Sequence, residues 1–313
     1  MSVKKKRGST SPADTNRPML TLGAVLFNWP VEQLHDFYAR IADEAPVERV
    51  CIGEVVCSKR LPFYAEDLPV MIERLQKGGK TVILSSLALP TLTRERAMIR
   101  DLVAIPGVLV EANDVSTFPN LAGRPHTIGP FINTYNEGTV RFVEKQGAVL
   151  VALPPELPIT SMAALAANAS VPLEAWAFGR APLAISARCY HARLNGLAKD
   201  SCQFVCGEDL DGLPVDTLEG RPFLAVNGVQ TLSDAYVSLL GDLPRLLAAG
   251  IRSFRLSPHT CDMVAVAKLF RAVLDGTCDT AEGERRLADL VPGARFANGF
   301  AHGKPGHQFV EAA

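Results

Sequence analysis

The chain has 313 residues, of which 48% are hydrophobic and 21% are charged, with a formal net charge of −1. This composition is typical of a globular protein with a substantial core, and the balanced charge gives no electrostatic reason to expect nucleic acid as a partner. The length suits one barrel-sized domain, which we predict over residues 19–313.

The chain begins with a basic and polar stretch, residues 1–18, which lacks apolar periodicity and is predicted to be a disordered tail. Residues 8–12 are polar at the place where a secretory signal would have its apolar part, so we expect a cytoplasmic protein. The apolar stretch 148–167 is interrupted by Pro154 and Pro155, which argues against a transmembrane segment.

Short apolar runs rich in Val, Ile and Leu alternate with longer segments of helical period, which is typical of parallel strands covered by crossover helices. The predicted strands are residues 20–27, 49–52, 81–85, 108–111, 127–132, 148–152, 173–177 and 253–256. Eight such strands predict an α/β fold, a TIM-like (β/α)8 barrel that need not be regular.

The helices between these strands have recognisable starts and stops. Pro30 is placed to open one helix, and residues 66–77 should form another that ends at Gly78. Asn136 is predicted to cap a helix over residues 137–146. The alternation then fails between about residues 186 and 222, which we interpret as an insertion after the seventh strand.

Polar residues follow several predicted strands, where barrels of this kind carry their chemistry. By pattern these are Glu54, Glu111, Asn113, Asp114, Asn133, Asn227 and Arg255. Each alone is more often a cap or a structural hydrogen-bonding group than a catalytic one. Their convergence on one rim makes Glu54, Asn133, Asn227 and Arg255 the catalytic candidates.

The chain has seven cysteines, an odd set that argues against a disulfide framework in a protein that is not secreted. Three of them, Cys189, Cys202 and Cys206, lie in the predicted insertion. Cys202 and Cys206 would place their sulfurs on the same face of one helical turn. Three thiolates could thus come from one loop.

A closed site needs a fourth ligand. The candidates are Cys51, Cys57, Cys261 and Cys278. Cys51 lies in an apolar strand pattern and is predicted to be a buried core residue. Cys57 is favoured as the ligand, because the adjacent cations Lys59 and Arg60 would stabilise a thiolate.

Four thiolates can hold either an iron–sulfur cluster or a zinc ion. Structural zinc sites commonly use two close cysteine pairs, and this chain has one, so the spacing favours iron–sulfur modestly. A catalytic cysteine beside His191 or His259 is a third, weaker interpretation.

The residues around these cysteines and strand ends resemble the ubiquinone-biosynthesis members of the collagenase-like peptidase superfamily. The resemblance covers nearly the whole chain after the tail. Its stretches are residues 53–54, 56–60, 87–89, 111–112, 133, 135–136, 154, 156–157, 182–184, 186–189, 199–200, 227–228, 230–231, 255–258 and 262.

This resemblance implies one 4Fe-4S cluster per chain, with Cys57, Cys189, Cys202 and Cys206 as its ligands. It also implies a heterodimer with a UbiU-like subunit that hydroxylates the ring of ubiquinone precursors without O2 under anaerobic conditions. Prephenate would be the oxygen donor, and a lipid carrier protein would be a further partner. A non-catalytic role for this chain, as a structural or electron-transfer subunit, is the alternative.

The superfamily's peptidase signature matches only in part, at residues 174–179. Glu174 and Gly179 are kept, but Trp176 stands where phenylalanine is usual, and Pro182 replaces the expected cysteine. With no recognisable pair of nucleophile and base, we expect that the chain is not an active peptidase. A collagenase-like peptidase or a structural zinc protein remains the least favoured alternative.

Overall fold

The computed structural model describes residues 17–121 and 123–311; the predicted tail, apart from residues 17 and 18, lies outside them. The strands are β1 (Met19–Leu22), β2 (Arg49–Ile52), β3 (Thr81–Ser85), β4 (Leu109–Ala112), β5 (His126–Ile128), β6 (Ala148–Ala152), β7 (Leu173–Ile185), β8 (Leu213–Asp216), β9 (Pro222–Asn227), β10 (Gln230–Ser238), β11 (Ser253–Leu256) and β12 (Phe296–Ala297).

Eight of these strands close into a parallel barrel. Strands β1 to β7 pair in chain order, and β11 closes the ring by pairing with both β7 and β1. Each of the eight overlaps a predicted strand, although β1 and β5 end earlier than predicted, so the prediction of an α/β TIM-like barrel is confirmed. The apolar runs were readable because strands of such a barrel are covered by helices and carry little polar surface.

Helices cover the outside of the barrel. In chain order they are α1 (Val31–Glu44), α2 (Leu68–Lys77), α3 (Thr93–Ala104), α4 (Phe118–Leu121), α5 (Glu137–Lys145), α6 (Ile159–Ala166), α7 (Tyr190–Leu194), α8 (Leu243–Ala248), α9 (Met263–Leu274) and α10 (Thr280–Leu290). As predicted, Pro30 precedes α1, and Asn136 caps α5 by accepting a hydrogen bond from the backbone N–H of Thr139 at 2.9 Å. In the described residues, no helix is both long and apolar enough to cross a membrane.

Strand β7 is the main departure from a regular barrel. It was expected to end at residue 177 but continues to Ile185, and its outer half pairs antiparallel with β10. The bend occurs at Gly179, where φ is +106° and an added Cβ would lie 2.7 Å from the Cβ of Ser257. A glycine is needed there because side chains rarely adopt this backbone conformation.

The outer half of β7 begins an antiparallel extension of the barrel sheet. Its antiparallel neighbours are β10, β9 and β8, in that order, and β12 pairs with β10. The segment after β7 contains the short helix α7 and two 3-10 turns before β8 begins. Sequence inspection missed β8, β9, β10 and β12, because these strands are short or half exposed and lack the continuous apolar runs of the barrel.

A network of buried charged and polar groups fills the barrel interior. Arg255 of β11 forms ion pairs with Glu111 of β4 and, at 2.7 Å, with Glu174 of β7. Ser253 donates to Glu174 at 2.9 Å, and Ser85 donates to Glu111 at 2.8 Å. Strand β4 does not neighbour β7 or β11 in the ring, so Arg255 links strands across the barrel.

Candidate functional site

All four predicted ligand cysteines line one cavity, which we call the thiol cavity. It is bounded by Cys57, Lys59, Arg60, Cys189, Lys199, Cys202, Phe204, Val205, Cys206, Gly228 and Val229. Cys57 comes from the loop after β2, and the other three come from the segment between β7 and β8. The barrel therefore brings together thiols that are more than 130 residues apart in sequence.

The Cys57 loop is held by Glu54. One carboxylate oxygen of Glu54 accepts hydrogen bonds from the backbone N–H groups of Val56 and Cys57, both at 2.9 Å, and the other accepts from the Tyr64 hydroxyl at 3.2 Å. Burial raises the pKa of Glu54, against the opposing effect of Arg60 and these donors. Glu54 thus positions a predicted ligand, and its carboxylate is already engaged by the protein.

We expect Glu54→Ala to destabilise the protein by about 2 kcal/mol or more, because two backbone N–H groups in this buried loop lose their acceptor. Glu54→Gln keeps a carbonyl acceptor and should cost clearly less. Urea unfolding of both variants checks the order. Equal stability of Glu54→Ala and wild type would show that the carboxylate does not hold the loop.

Cys189 sits immediately before α7, where its sulfur accepts a hydrogen bond from the backbone N–H of Ala192 at 3.4 Å. Burial raises the pKa of the Cys189 thiol, while the Ala192 hydrogen bond acts in the opposite direction. Burial likewise raises the pKa of Cys57, and the nearby Arg60 charge opposes it. Burial thus disfavours the thiolate form of both groups, whereas the Arg60 charge and the Ala192 N–H favour it.

Cys202 and Cys206 do not share one helical turn, and that expectation is wrong. Gln203 and Phe204 between them adopt left-handed backbone conformations, with φ of 49° and 57°. This kink separates two 3-10 turns, Lys199–Ser201 and Val205–Gly207. The kinked backbone, rather than i to i+4 spacing on a helix, brings both cysteines to the cavity.

Arg60 is the most deeply buried cation of the thiol cavity. Its guanidinium donates to the Leu26 carbonyl at 3.1 Å and to Asn227 Oδ1 at 2.6 Å, while its Nε–H has no partner among the described residues. Burial alone would lower its pKa, but the charges of Cys206 and Glu54 raise it. Arg60 therefore stays charged beside the thiols, with its Nε–H unpaired among the described residues.

Asn227 holds the other side of the cavity. Its amide nitrogen donates to the carbonyls of Cys206 and Asp209 at 2.9 and 2.8 Å, and its oxygen accepts from Arg60. It ends β9, in the antiparallel extension of the sheet, so its expected place at the end of a barrel strand is wrong. The adjacent Gly228 has φ of +66°, and an added Cβ would approach Arg60 to 2.5 Å.

The donor set of the thiol cavity suits a 4Fe-4S cluster in both type and charge. Iron–sulfur clusters are bound by cysteine thiolates, and the thiolate-bound cluster is an anion. The lining contains three cations, Lys59, Arg60 and Lys199, and none of the described lining residues is acidic. Lys59 and Lys199 are anchored by the carbonyls of Lys199 and Ala187, at 2.7 and 3.0 Å.

Within residues 17–121 and 123–311, no three or more His, Cys, Asp or Glu side chains are arranged to hold a metal ion. A cluster makes a different geometric demand from a mononuclear site, because its thiolates bind different iron atoms around a shared centre. In the thiol cavity, four cysteines line one small space of about 20 Å³.

The other rim candidates are dispersed. Glu111 and Arg255 belong to the barrel interior, so the expectation that they lie on the rim is wrong: their side chains point inward from within their strands. Asn113 is buried and donates to the Ser86 carbonyl at 3.1 Å, and Asp114 caps a 3-10 turn. Asn133 is exposed, in a left-handed conformation with φ of 58°.

Two features bear on the alternative chemistries. His259 is held by Asp211 on one ring nitrogen, at 3.1 Å, and accepts from the backbone N–H of Arg180 on the other, at 3.0 Å. Glu174, the glutamate of the peptidase-like segment, is wholly buried in the barrel network with Arg255. Neither side chain is free to act on a substrate.

Solved structures with a similar arrangement have low sequence identity. Dihydropteroate synthase from Thermus thermophilus has 13% identity and a TM-score of 0.44, and the match covers 84% of this chain and 94% of that one. DAHP synthase from Thermotoga maritima has 10% identity and a TM-score of 0.44, covering 92% of this chain and 75% of that one.

Family comparison is more specific. The model of peptidase family U32 matches residues 29–311. These residues include all four cysteines of the thiol cavity, and they include every barrel strand except β1. The chain therefore belongs to peptidase family U32.

Proposed function

We propose that this chain is a UbiV-type iron–sulfur subunit of an O2-independent hydroxylase that acts on ubiquinone precursors together with a UbiU-like subunit. The observation that carries this proposal is the thiol cavity, where four cysteines from two distant segments meet beside three cations. The sequence resemblance supplies the reaction, with prephenate as oxygen donor, a lipid carrier protein as a further partner, and the cytoplasm as the compartment.

A bound cluster would supply one-electron transfer. The residues of this chain would hold it through Cys57, Cys189, Cys202 and Cys206. The positive charges of Lys59, Arg60 and Lys199 would favour the reduced, more negative state of the cluster and so raise its reduction potential. Arg188, although adjacent to a ligand in sequence, is exposed and does not line the thiol cavity.

The test is the metal content of the chain, purified anaerobically together with a UbiU-like subunit. We expect about four irons and four sulfides per chain and the broad visible absorption of a thiolate-bound cluster. About one zinc and no iron would overturn the proposal and indicate a structural zinc protein. Cleavage of an unfolded protein substrate would instead support a peptidase.

A second candidate is a non-catalytic subunit whose cluster has a structural or electron-transfer role. The observation that favours it is that Glu54, Asn227 and Arg255 already have their polar groups engaged within the protein. Asn133, by contrast, lines an open cavity. Loss of hydroxylation in Asn133→Ala, with cluster and heterodimer intact, would assign a substrate role to this chain; full activity would favour the non-catalytic one.

A further inference from the structure

A polar cavity opens at the barrel mouth, and its lining contains none of the four cysteines. This barrel-mouth cavity has a volume of about 260 Å³ and is formed by the loops after β3, β5 and β6 and by the outer half of β7. Substrate sites of (β/α)8 barrels lie at this end, where the strands terminate. The volume suits one small ring compound.

Glu156 is the distinctive group in the cavity. One of its carboxylate oxygens is fully buried and has no hydrogen-bond partner among the described residues. Burial raises the pKa of Glu156, and its own backbone N–H and the nearby Tyr135 hydroxyl act in the opposite direction. The Glu156 side chain as a whole is only half-buried and lines the cavity, so its carboxylate is the acceptor that a hydrogen-bond donor on a ligand would meet there.

Asn133 provides a second polar group on the cavity wall. It follows a 3-10 turn and adopts a left-handed conformation, which directs the chain back so that Asn133 and Tyr135 both line the cavity. Asparagine tolerates this conformation better than most residues. The turn therefore explains why a polar residue of this type stands there.

The charge of the lining selects the class of ligand. Glu156 is the charged residue of the described lining, and no lysine or arginine lines this cavity. A ligand that carries a carboxylate or phosphate would be repelled by the Glu156 carboxylate, because no cation in the described lining offsets its charge. A neutral compound with a hydroxyl group can instead donate a hydrogen bond to Glu156. Phe131 and Leu183 add apolar surface against which a ring can pack.

The cavity also lies near the cysteines. Leu89 lines both the barrel-mouth cavity and a neighbouring cavity of about 240 Å³, whose walls include Cys57 and Lys59. Cys57 and Lys59 in turn line the thiol cavity. The three spaces thus follow one another across the barrel mouth.

We propose that the barrel-mouth cavity binds a neutral phenol, whose hydroxyl donates a hydrogen bond to Glu156 while its ring packs against Phe131 and Leu183. The choice of a phenol rests on the proposed ring hydroxylation, since precursor rings of that reaction carry hydroxyl groups. Glu156 is a binding residue in this proposal, and Asn133 assists it.

The test measures the binding of phenol to the cluster-loaded complex by saturation-transfer NMR, with anisole, which lacks the O–H, as the matched probe. Wild type should bind phenol more tightly than anisole. Glu156→Gln should weaken phenol binding about tenfold, equivalent to about 1.4 kcal/mol, and leave anisole binding unchanged. Glu219→Gln, at an exposed site on the β8–β9 loop, is the control and should change neither.

Asn133→Gly provides a second variant, because glycine keeps the left-handed turn while removing the amide. It should weaken phenol binding severalfold. Undetectable phenol binding by wild type, equal affinity for phenol and anisole, or unchanged affinity in both variants would overturn the proposal. The iron content of the same samples separates the two hypotheses. Iron without phenol binding would contradict the phenol site alone, and phenol binding without iron would contradict the proposed cluster alone.

Discussion

Cys57→Ala is expected to reduce the iron content of the chain from about four atoms to nearly none and to abolish anaerobic quinone formation. Cys57 is the one member of the four-cysteine set that the β2 loop supplies, and the other three come from the segment before β8. A 4Fe-4S cluster bound by four thiolates loses one corner in this variant. The measurement is iron and acid-labile sulfide per chain, with the visible spectrum.

Cys278→Ala is the matched control for this experiment. Its thiol lies between α9 and α10, away from the thiol cavity, and contacts the Asp279 carbonyl at 3.4 Å. The control should keep its iron, its spectrum and its activity. If Cys57→Ala kept both its cluster and ring hydroxylation, the assignment of the thiol cavity as the cluster site would be wrong.

Arg255→Met is expected to lower the free energy of unfolding by about 3–5 kcal/mol, because it leaves buried Glu111 without its counterion and leaves buried Glu174 with only Arg49, at 3.9 Å. Arg285→Met is the control. Arg285 is 74% exposed and pairs with Glu282, so its loss should cost less than about 1 kcal/mol. Urea unfolding at neutral pH measures both.

The pH dependence gives a further check on this network. Burial by itself would raise the pKa of Glu174, but Arg255 and Arg49 hold it below its ordinary value of 4.5. A carboxyl with a depressed folded-state pKa stabilises the protein above 4.5, and this contribution is lost as the pH falls through the folded value. The difference in free energy of unfolding between wild type and Arg255→Met should therefore decrease below pH 4.5. A difference that stays constant with pH would contradict an ionic role for Arg255.

This expected loss also bears on Arg255 as a catalytic candidate. If Arg255 bound substrate, its substitution would lower hydroxylation activity with little change in the free energy of unfolding. If Arg255 acts in the barrel network, its substitution should lower the free energy of unfolding with little change in activity per folded molecule. Activity per folded molecule, measured well below the unfolding transition, distinguishes the two. We expect that folded Arg255→Met retains its cluster, because Arg255 does not line the thiol cavity.

Several features were determined by local sequence. The eight barrel strands were readable because each is a short apolar run with its own turn signals, as in residues 81–85 and 148–152. Asn136 was recognised as a helix cap because a capping side chain bonds to the backbone only three residues away. The four cysteines were chosen by their residue type, their neighbours and family resemblance.

The tertiary structure decided what those residues do. Asn227 looked like a rim group, yet it holds the Cys206 backbone through a contact that no local pattern encodes. Glu54 also looked like a rim group, but it holds the Cys57 backbone three residues further on, a local contact that sequence inspection missed. The extension of β7 and the meeting of Tyr135 with Glu156 likewise depend on segments far apart in sequence. Side-chain type determines which chemistry a residue can offer, whereas closure of the barrel determines which partners it meets.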